Sequence, residues 1–266
     1  MERGWTGDRF RERLRRGEVA LGAAVSFGDP TVSELLGGAL DFVWIDMEHG
    51  ALSIEAVQAH VMAAQLAGTV PLVRVAWNDP VLIKQVLDVG AAGIIAPMVR
   101  TAEEARLLVS ACRYPPQGIR SFGPRRPSNY GRIDGPTVCR TENERVFTVA
   151  QIEHVDAVNA LDEILTTAGL DSLVLGPNDL SASMGLPAQR THPTVLEAIE
   201  SVVTRARAAG MLVGIGAADE PEEIRHWVQK GAHWSVIGAD FVLLSQVVDR
   251  KVAAVRAALR ETGVAE

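Results

Sequence analysis

Lysine is nearly missing. Of 26 basic residues in this 266-residue chain only Lys84, Lys230 and Lys251 are lysines, and all three fall in stretches of helical periodicity. A Schiff-base enzyme needs a lysine at the reacting centre, usually desolvated to lower its pKa; no residue here offers that. Cysteine is limited to Cys112 and Cys139, with no C-x-x-C spacing, which excludes a disulfide framework and a structural zinc. A reducing cytoplasm is the expected compartment. No apolar run approaches the ~18 residues of a membrane-spanning helix. Net charge is −7 without a long basic run, which argues against nucleic acid as a partner. Aromatics make up only 5%, so the core must come mostly from Ala, Val, Leu and Ile. No G-x-G-x-x-G fingerprint follows the first strand-like run; Gly214-Ile-Gly216 lacks the third glycine and reads as a tight turn rather than a dinucleotide site.

What is present is a regular alternation. Strand-like runs cover Leu21–Phe27, Phe42–Met47, Pro71–Val75, Gly93–Met98, Val146–Glu153, Ser172–Gly176, Leu212–Gly216 and Trp234–Gly238. Helical patterns lie between them at Ser53–Ala67, Pro80–Val89, Ala102–Cys112, Val155–Ala168, His192–Ala209, Glu220–Lys230 and Phe241–Glu261. Thr101 before Ala-Glu-Glu104 reads as an N-cap with acids in the first turn. Eight strands alternating with helices predict a single-domain (β/α)8 barrel over residues 1–266, with an open doubly wound sheet as the alternative. The Arg-rich stretch Met1–Glu18 also carries four acids, unlike a transit peptide. It reads as an amphipathic helix closing the barrel bottom around Phe10 and Leu14. The stretch Tyr114–Arg145, rich in Pro and Gly, is expected to be a long functional loop that stays at the bottom face or climbs toward an active site.

In such a barrel the chemistry sits at C-terminal strand ends. Filtering polar residues by that rule collects Asp46, Glu48 and His49 after the second strand and Arg74 in the third. It adds Gln151 and Glu153 at the end of the fifth, and Asn178 and Asp179 after the sixth. An arginine inside Leu72-Val-Arg74-Val is costly unless paired or bound to an anion; an ion pair with Asp46 or Glu153 is its plain structural reading. Glu153 and Asp179 close two apolar strands one βα unit apart, a placement that brings two carboxylates onto one divalent cation. Two carboxylates with open positions suit Mg²⁺, Mn²⁺ or Co²⁺. Asn178 and Asp179 begin a short helical turn whose free amides could hold a substrate carboxylate.

These same residues carry a resemblance. The motifs Trp44-Ile-Asp-Met-Glu-His49, Arg74, Leu82-Ile-Lys-Gln-Val-Leu-Asp88-Val-Gly-Ala, Pro97-Met-Val, Arg113-Tyr-Pro-Pro-Gln-Gly118, Gln151-Ile-Glu153 and Gly176-Pro-Asn-Asp179-Leu-Ser-Ala-Ser183 occur in order, and over nearly its whole length the chain resembles the HpcH/HpaI aldolases, a family of metal-dependent pyruvate aldolases. The resemblance implies Glu153 and Asp179 as metal ligands, Arg74 as the group that steadies an enolate oxygen, and His49 with Asp46 as an acid/base pair. It places Gln151 and Asn178 at the substrate and Glu48 and Asp88 behind the ligands, with Asp88 able to reach a neighbouring subunit's site. It implies a homo-oligomer, a trimer or hexamer, with the C-terminal helix exchanged between subunits. The implied reaction is reversible cleavage of 4-hydroxy-2-oxo acids to pyruvate, or a related 2-oxo acid, and an aldehyde through a metal-bound enolate.

The chain departs from the family pattern in places. Met47 stands where glycine is common, and His154 after Glu153 is expected to cap the next helix rather than bind metal. The loop Arg120–Tyr130 leaves the aldehyde open; Arg125 and Arg126 could bind an anionic group on it or pair with acids at a subunit interface. Two other functions compete: a citrate-lyase-β-like enzyme acting on malyl- or citramalyl-type thioesters, and a non-catalytic barrel that binds an oxo acid.

Overall fold

The computed structural model describes residues 5–217 and 220–261. Eight parallel strands, β1 (Ala20–Val25), β2 (Phe42–Asp46), β3 (Val70–Arg74), β4 (Gly93–Ala96), β5 (Phe147–Ile152), β6 (Ser172–Leu175), β7 (Leu212–Ile215) and β8 (Trp234–Ala239), close into a barrel in sequence order. Alternation along each strand divides the apolar residues into two cores. Outward-facing Val43, Ile45, Val73, Ile152 and Leu173 pack under the helices, while inward-facing Phe42, Trp44, Leu72, Phe147, Val149 and Trp234 fill the barrel. The interior is tight: a Cβ on Gly214 would lie 2.2 Å from the Trp234 ring, so only glycine admits that indole.

The N-terminal helix α1 (Gly7–Arg15) plugs the bottom as expected from Phe10 and Leu14, both buried; the residues before Trp5 lie outside the described segment. Phe10 meets Phe42 and Phe147 edge-on, with ring centroids 5.7 and 5.3 Å away. The remaining early helices are α2 (Thr31–Gly37), α3 (Ile54–Leu66), α4 (Pro80–Asp88) and α5 (Ala102–Ala111). Thr101 and Glu104 form the reciprocal cap at the head of α5.

Three features differ from the periodicity. Helix α2 has seven residues, too few to show a repeating apolar face. The stretch Tyr114–Arg145 is not loop throughout. Its last part is helix α6 (Gly135–Arg145), opened by Pro136 in the first turn and capped by Asp134, whose carboxylate accepts from Thr137 N–H at 3.0 Å. The helical pattern Val155–Ala168 divides at Ala160 into α7 (Val155–Asn159) and α8 (Leu161–Leu165). His154 caps α7 through Nδ1, which accepts from Asp156 N–H at 3.1 Å.

The loop before α6 stays at the bottom of its own barrel. Arg120, fully buried, donates to Asp88 at 2.9 Å and lies over the Tyr114 ring at 4.4 Å. Arg126 donates to Gln65 Oε1 at 2.6 Å.

After α9 (Pro177–Ser183), α10 (Pro193–Ala208) and α11 (Pro221–Lys230), the last described helix is α12 (Asp240–Glu261), in which only Asp240 is buried. Phe241, Leu244, Val248, Val252 and Val255 are exposed at three- and four-residue spacing, an apolar stripe left uncovered among the described residues.

His60 of α3 is fully buried in hydrogen-bond contact with Ser33 Oγ through Nδ1, at 2.8 Å. Burial holds its pKa below the ordinary histidine value. The unfolded chain therefore binds a proton that the folded chain refuses, and stability present above about pH 6.5 is lost as pH falls below it. Denaturant titrations should show His60→Gln losing less stability than the parent between pH 6.5 and 5, with a difference in slope of up to about 1.4 kcal/mol per pH unit; parallel curves would contradict this.

Candidate active site

Parallel register sets the first part of the site. Asp46 and Arg74 end neighbouring strands and are Cα partners across β2 and β3. The guanidinium forks onto the carboxylate, Nε to Oδ1 at 2.9 Å and a terminal nitrogen to Oδ2 at 2.6 Å. Its other terminal nitrogen lies 2.8 Å from Glu48 Oε2. Such paired, planar contacts are the geometry in which Arg holds its place best. Burial opposes the charge on Arg74, but the two carboxylates more than offset it and its pKa is raised. The structural reading of Arg74 is therefore present, and so is the functional one, because the same side chain lines the cavity at the barrel mouth.

Asp46 also shapes the turn that follows, accepting from Glu48 N–H at 3.0 Å and His49 N–H at 3.4 Å. The pairing of Asp46 with the His49 ring suggested by the resemblance is not among these contacts. With both Asp46 oxygens committed to Arg74, the ring instead sits 3.9 Å from Glu48 Oε2 and is largely solvent-facing. Burial raises the Glu48 pKa against the pull of Arg74.

Glu153 follows β5 and is 1% exposed. Its Oε1 accepts from Met98 N–H at 2.7 Å, and its Oε2 accepts from Gln151 Nε2. Desolvation pushes its pKa up to about 7, with Glu48 and Asp179 adding repulsion while the Met98 amide and Arg74 oppose it. Gly176 permits this packing, since a Cβ there would come within 2.5 Å of Glu153 Oε2. A cavity of about 130 Å³ opens beside these groups, walled by Trp44, His49, Arg74, Gln151, Asn178 and Asp179.

Asp88 is not brought to this cavity by its own chain; it ends α4 and pairs with Arg120. Arg125 and Arg126 likewise belong to the bottom loop. Sequence reasoning missed two contributors. Met98 supplies an amide from a backbone at φ 54°, which no periodicity signals. Trp44 lies two residues before Asp46 on the same inward face, so strand alternation held the clue. Among the described residues no group of three or more His, Cys, Asp or Glu is arranged to hold a metal.

The sequence pattern of the HpcH/HpaI aldolase/citrate lyase family matches residues 29–246. The chain belongs to that family. It is 39% identical over 240 residues to 4-hydroxy-2-oxo-heptane-1,7-dioate aldolase of Salmonella paratyphi C, covering 89% of this chain and 90% of that protein. It is 38% identical over 247 residues to hydroxypyruvate/pyruvate aldolase of Roseovarius nubinhibens, covering 92% and 95%. A crystal structure of an HpcH/HpaI aldolase/citrate lyase family protein from Burkholderia cenocepacia superposes with a TM-score of 0.88 at 30% identity, covering 94% and 99%. The HpcH/HpaI match spans every candidate residue from Asp46 to Asp179, and with it the chain is a lyase of the aldolase kind.

Proposed function

We propose that this enzyme is a divalent-metal-dependent aldolase that reversibly cleaves 4-hydroxy-2-oxo acids to pyruvate, or a related 2-oxo acid, and an aldehyde. The observation that carries the reading is Glu153: a buried carboxylate, uncomfortable as an anion, repelled by Glu48 and by Asp179, which walls the small cavity beside it. A buried negative charge of this kind calls for a cation. The donor set is all oxygen, with two carboxylates and room for water or substrate, which fits Mg²⁺, Mn²⁺ or Co²⁺. Glu153 and Asp179 would hold the ion. When bound it supplies a Lewis acid that stabilises charge building on the substrate's carbonyl side.

The remaining steps fall to the chain's own groups. His49, open to the cavity, takes the proton from the C4 hydroxyl. The C3–C4 bond then breaks, the aldehyde departs, and the electron pair moves toward the C2 oxygen. Arg74, clamped by Asp46 and Glu48, already points positive charge where that oxyanion grows, so no reorganisation is needed. Return of a proton to C3 completes the 2-oxo acid. Gln151 holds Glu153 in orientation through its Nε2 donation.

Proton exchange at the pyruvate methyl group separates an enzyme from a mere binder. In D₂O with Mg²⁺ the proton NMR signal of pyruvate should decay in the presence of the protein and persist with His49→Ala. Binding without exchange in the parent would reduce this barrel to an oxo-acid carrier.

The apolar stripe of α12 supports an oligomer in which a second copy covers it. Light scattering should show an assembly for the parent and a smaller species for Leu244→Asp with Val248→Asp. An unchanged mass in that variant would remove α12 from the interface.

A further inference from the structure

The last strand of the barrel ends in an irregularity. Gly22 of β1 pairs with Val236 of β8, but Ala24 pairs with Ala239, so β8 carries one extra residue before its end. Gly238 lies in that stretch at φ 145°, a backbone conformation that residues with a side chain rarely adopt. Bulges are over-represented at barrel rims and beside active sites, where they re-aim a neighbouring side chain. Here the next side chain is Asp240, which opens α12 and turns back over the end of β1.

Asp240 is 5% exposed, and its carboxylate is met by four donors. Oδ2 accepts from the amides of Ser26 and Phe27, each at 2.8 Å. Oδ1 accepts from Ser26 Oγ at 2.8 Å and from the Phe241 amide of its own helix at 2.9 Å. Three of these bonds therefore go to the loop after β1 and one to α12. Buried hydrogen bonds to a charged acceptor are the strong kind, so they fix where that loop sits. The loop has two links to the site. Ala24, two residues before Ser26, walls the cavity. A Cβ on Gly50 would meet Ser26 Cα at 3.4 Å, so the loop rests against the turn that carries His49. The His49 ring is largely solvent-facing, 3.9 Å from Glu48 Oε2, which leaves its position to the backbone of that turn.

We propose that Asp240 is a positioning residue for the lyase reaction: through Ser26 and Phe27 it holds the loop after β1 against Gly50 and so keeps His49 at the cavity. It touches no substrate. The proposal rests on the aldolase reading above, with His49 as the base, and adds a residue from the opposite end of the barrel sequence. Glu153 and Asp179 follow β5 and β6, on the side of the barrel away from β1, so metal binding is left alone.

The test is pyruvate release from 4-hydroxy-2-oxoheptanedioate with Mg²⁺, read in the full chain and in Asp240→Ala, Asp240→Asn, His49→Ala and the Asp240→Ala/His49→Ala pair. Asp240→Ala removes all four bonds and should lower kcat about 10- to 100-fold, the cost of a misplacement on the order of 1 Å. KM and calorimetric Mn²⁺ affinity should stay within about twofold. Asp240→Asn is the rescue. With its oxygen toward the Ser26 and Phe27 amides and its NH2 toward Ser26 Oγ, it keeps the loop and drops only the Phe241 amide. Its kcat should stay within about threefold of the parent. In the His49→Ala background Asp240→Ala should cost less than about twofold, because a residue acting through His49 has nothing left to position.

An equal loss in both backgrounds, or an Asp240→Asn loss as large as that of Asp240→Ala, would make Asp240 a support of α12 and overturn the proposal with the aldolase reading intact. A parent-like kcat in Asp240→Ala would overturn it as well. If Asp240→Ala does not fold, Ser26→Ala takes its place in the cycle. That variant removes one loop bond and should cost about threefold in kcat only while His49 is present; a loss that persists without His49, or none at all, would overturn the proposal. No pyruvate release by the parent would overturn both readings.

Discussion

Glu153→Gln should lower aldol cleavage by roughly 10³-fold, the rate equivalent of about 4 kcal/mol of lost charge stabilisation. The substitution is nearly isosteric, and the amide oxygen can still accept from Met98 N–H, which now donates to Oε1 at 2.7 Å. What disappears is the negative charge, together with the acceptor for Gln151 Nε2, which a flip of the Gln151 amide restores by turning its oxygen to the new NH2. Because burial already penalises that charge, the metal-free variant should be no less stable than the parent in thermal unfolding. Asp179→Asn should give a similar loss from an exposed position, where folding has little to say. Calorimetry with Mn²⁺ should show weakened metal binding in both. Parent-like rates in either variant would remove that residue from the metal site. A large drop in melting temperature for Glu153→Gln would mean that the carboxylate serves the fold.

The second large effect belongs to Arg74. Arg74→Lys retains the charge and loses the fork that now grips both oxygens of Asp46 and reaches Glu48. A lysine is a single mobile point charge and cannot hold both carboxylates in place. The expected outcome is a fall in kcat of about 10²- to 10³-fold, the usual cost of losing one preorganised donor at a developing oxyanion. KM for the 2-oxo acid should change far less, because the donor matters most after charge has moved. A rise in KM at constant kcat would instead assign Arg74 to ground-state binding.

The barrel was legible because its strands are buried on both sides and read as continuous Val-, Ile- and Leu-rich runs, such as Phe42–Asp46 and Ser172–Leu175. Helices α2 and α6 were not. The first is too short for a period, and the second lies behind Pro115, Pro116, Pro124 and Pro127, whose turn chemistry masks it. Within the site, the Asp46–Arg74 fork follows from neighbouring strands in parallel register. The orientation of the His49 ring does not, because it depends on the turn Asp46–Gly50, where Asp46 holds two backbone amides. Asp88 was placed with the site by resemblance alone. Its own chain puts it at the foot of α4 beside Arg120, and any reach into an active site would be into a neighbour's. Trp44 was read only as the head of the Trp44–His49 motif and given no role, because a large apolar residue in a strand ordinarily means core, and only its unpaired Nε1 beside the cavity separates it from Trp234, whose indole N–H donates to Ser172 Oγ at 3.0 Å.

The most direct measurement is pyruvate release from 4-hydroxy-2-oxoheptanedioate, followed through a coupled lactate dehydrogenase assay before EDTA, after EDTA, and after dialysis into Mg²⁺, Mn²⁺ or Co²⁺. The account predicts release that falls to background on chelation and returns with at least one of these ions in the parent but not in Glu153→Gln. Release that continues unchanged in EDTA would contradict it.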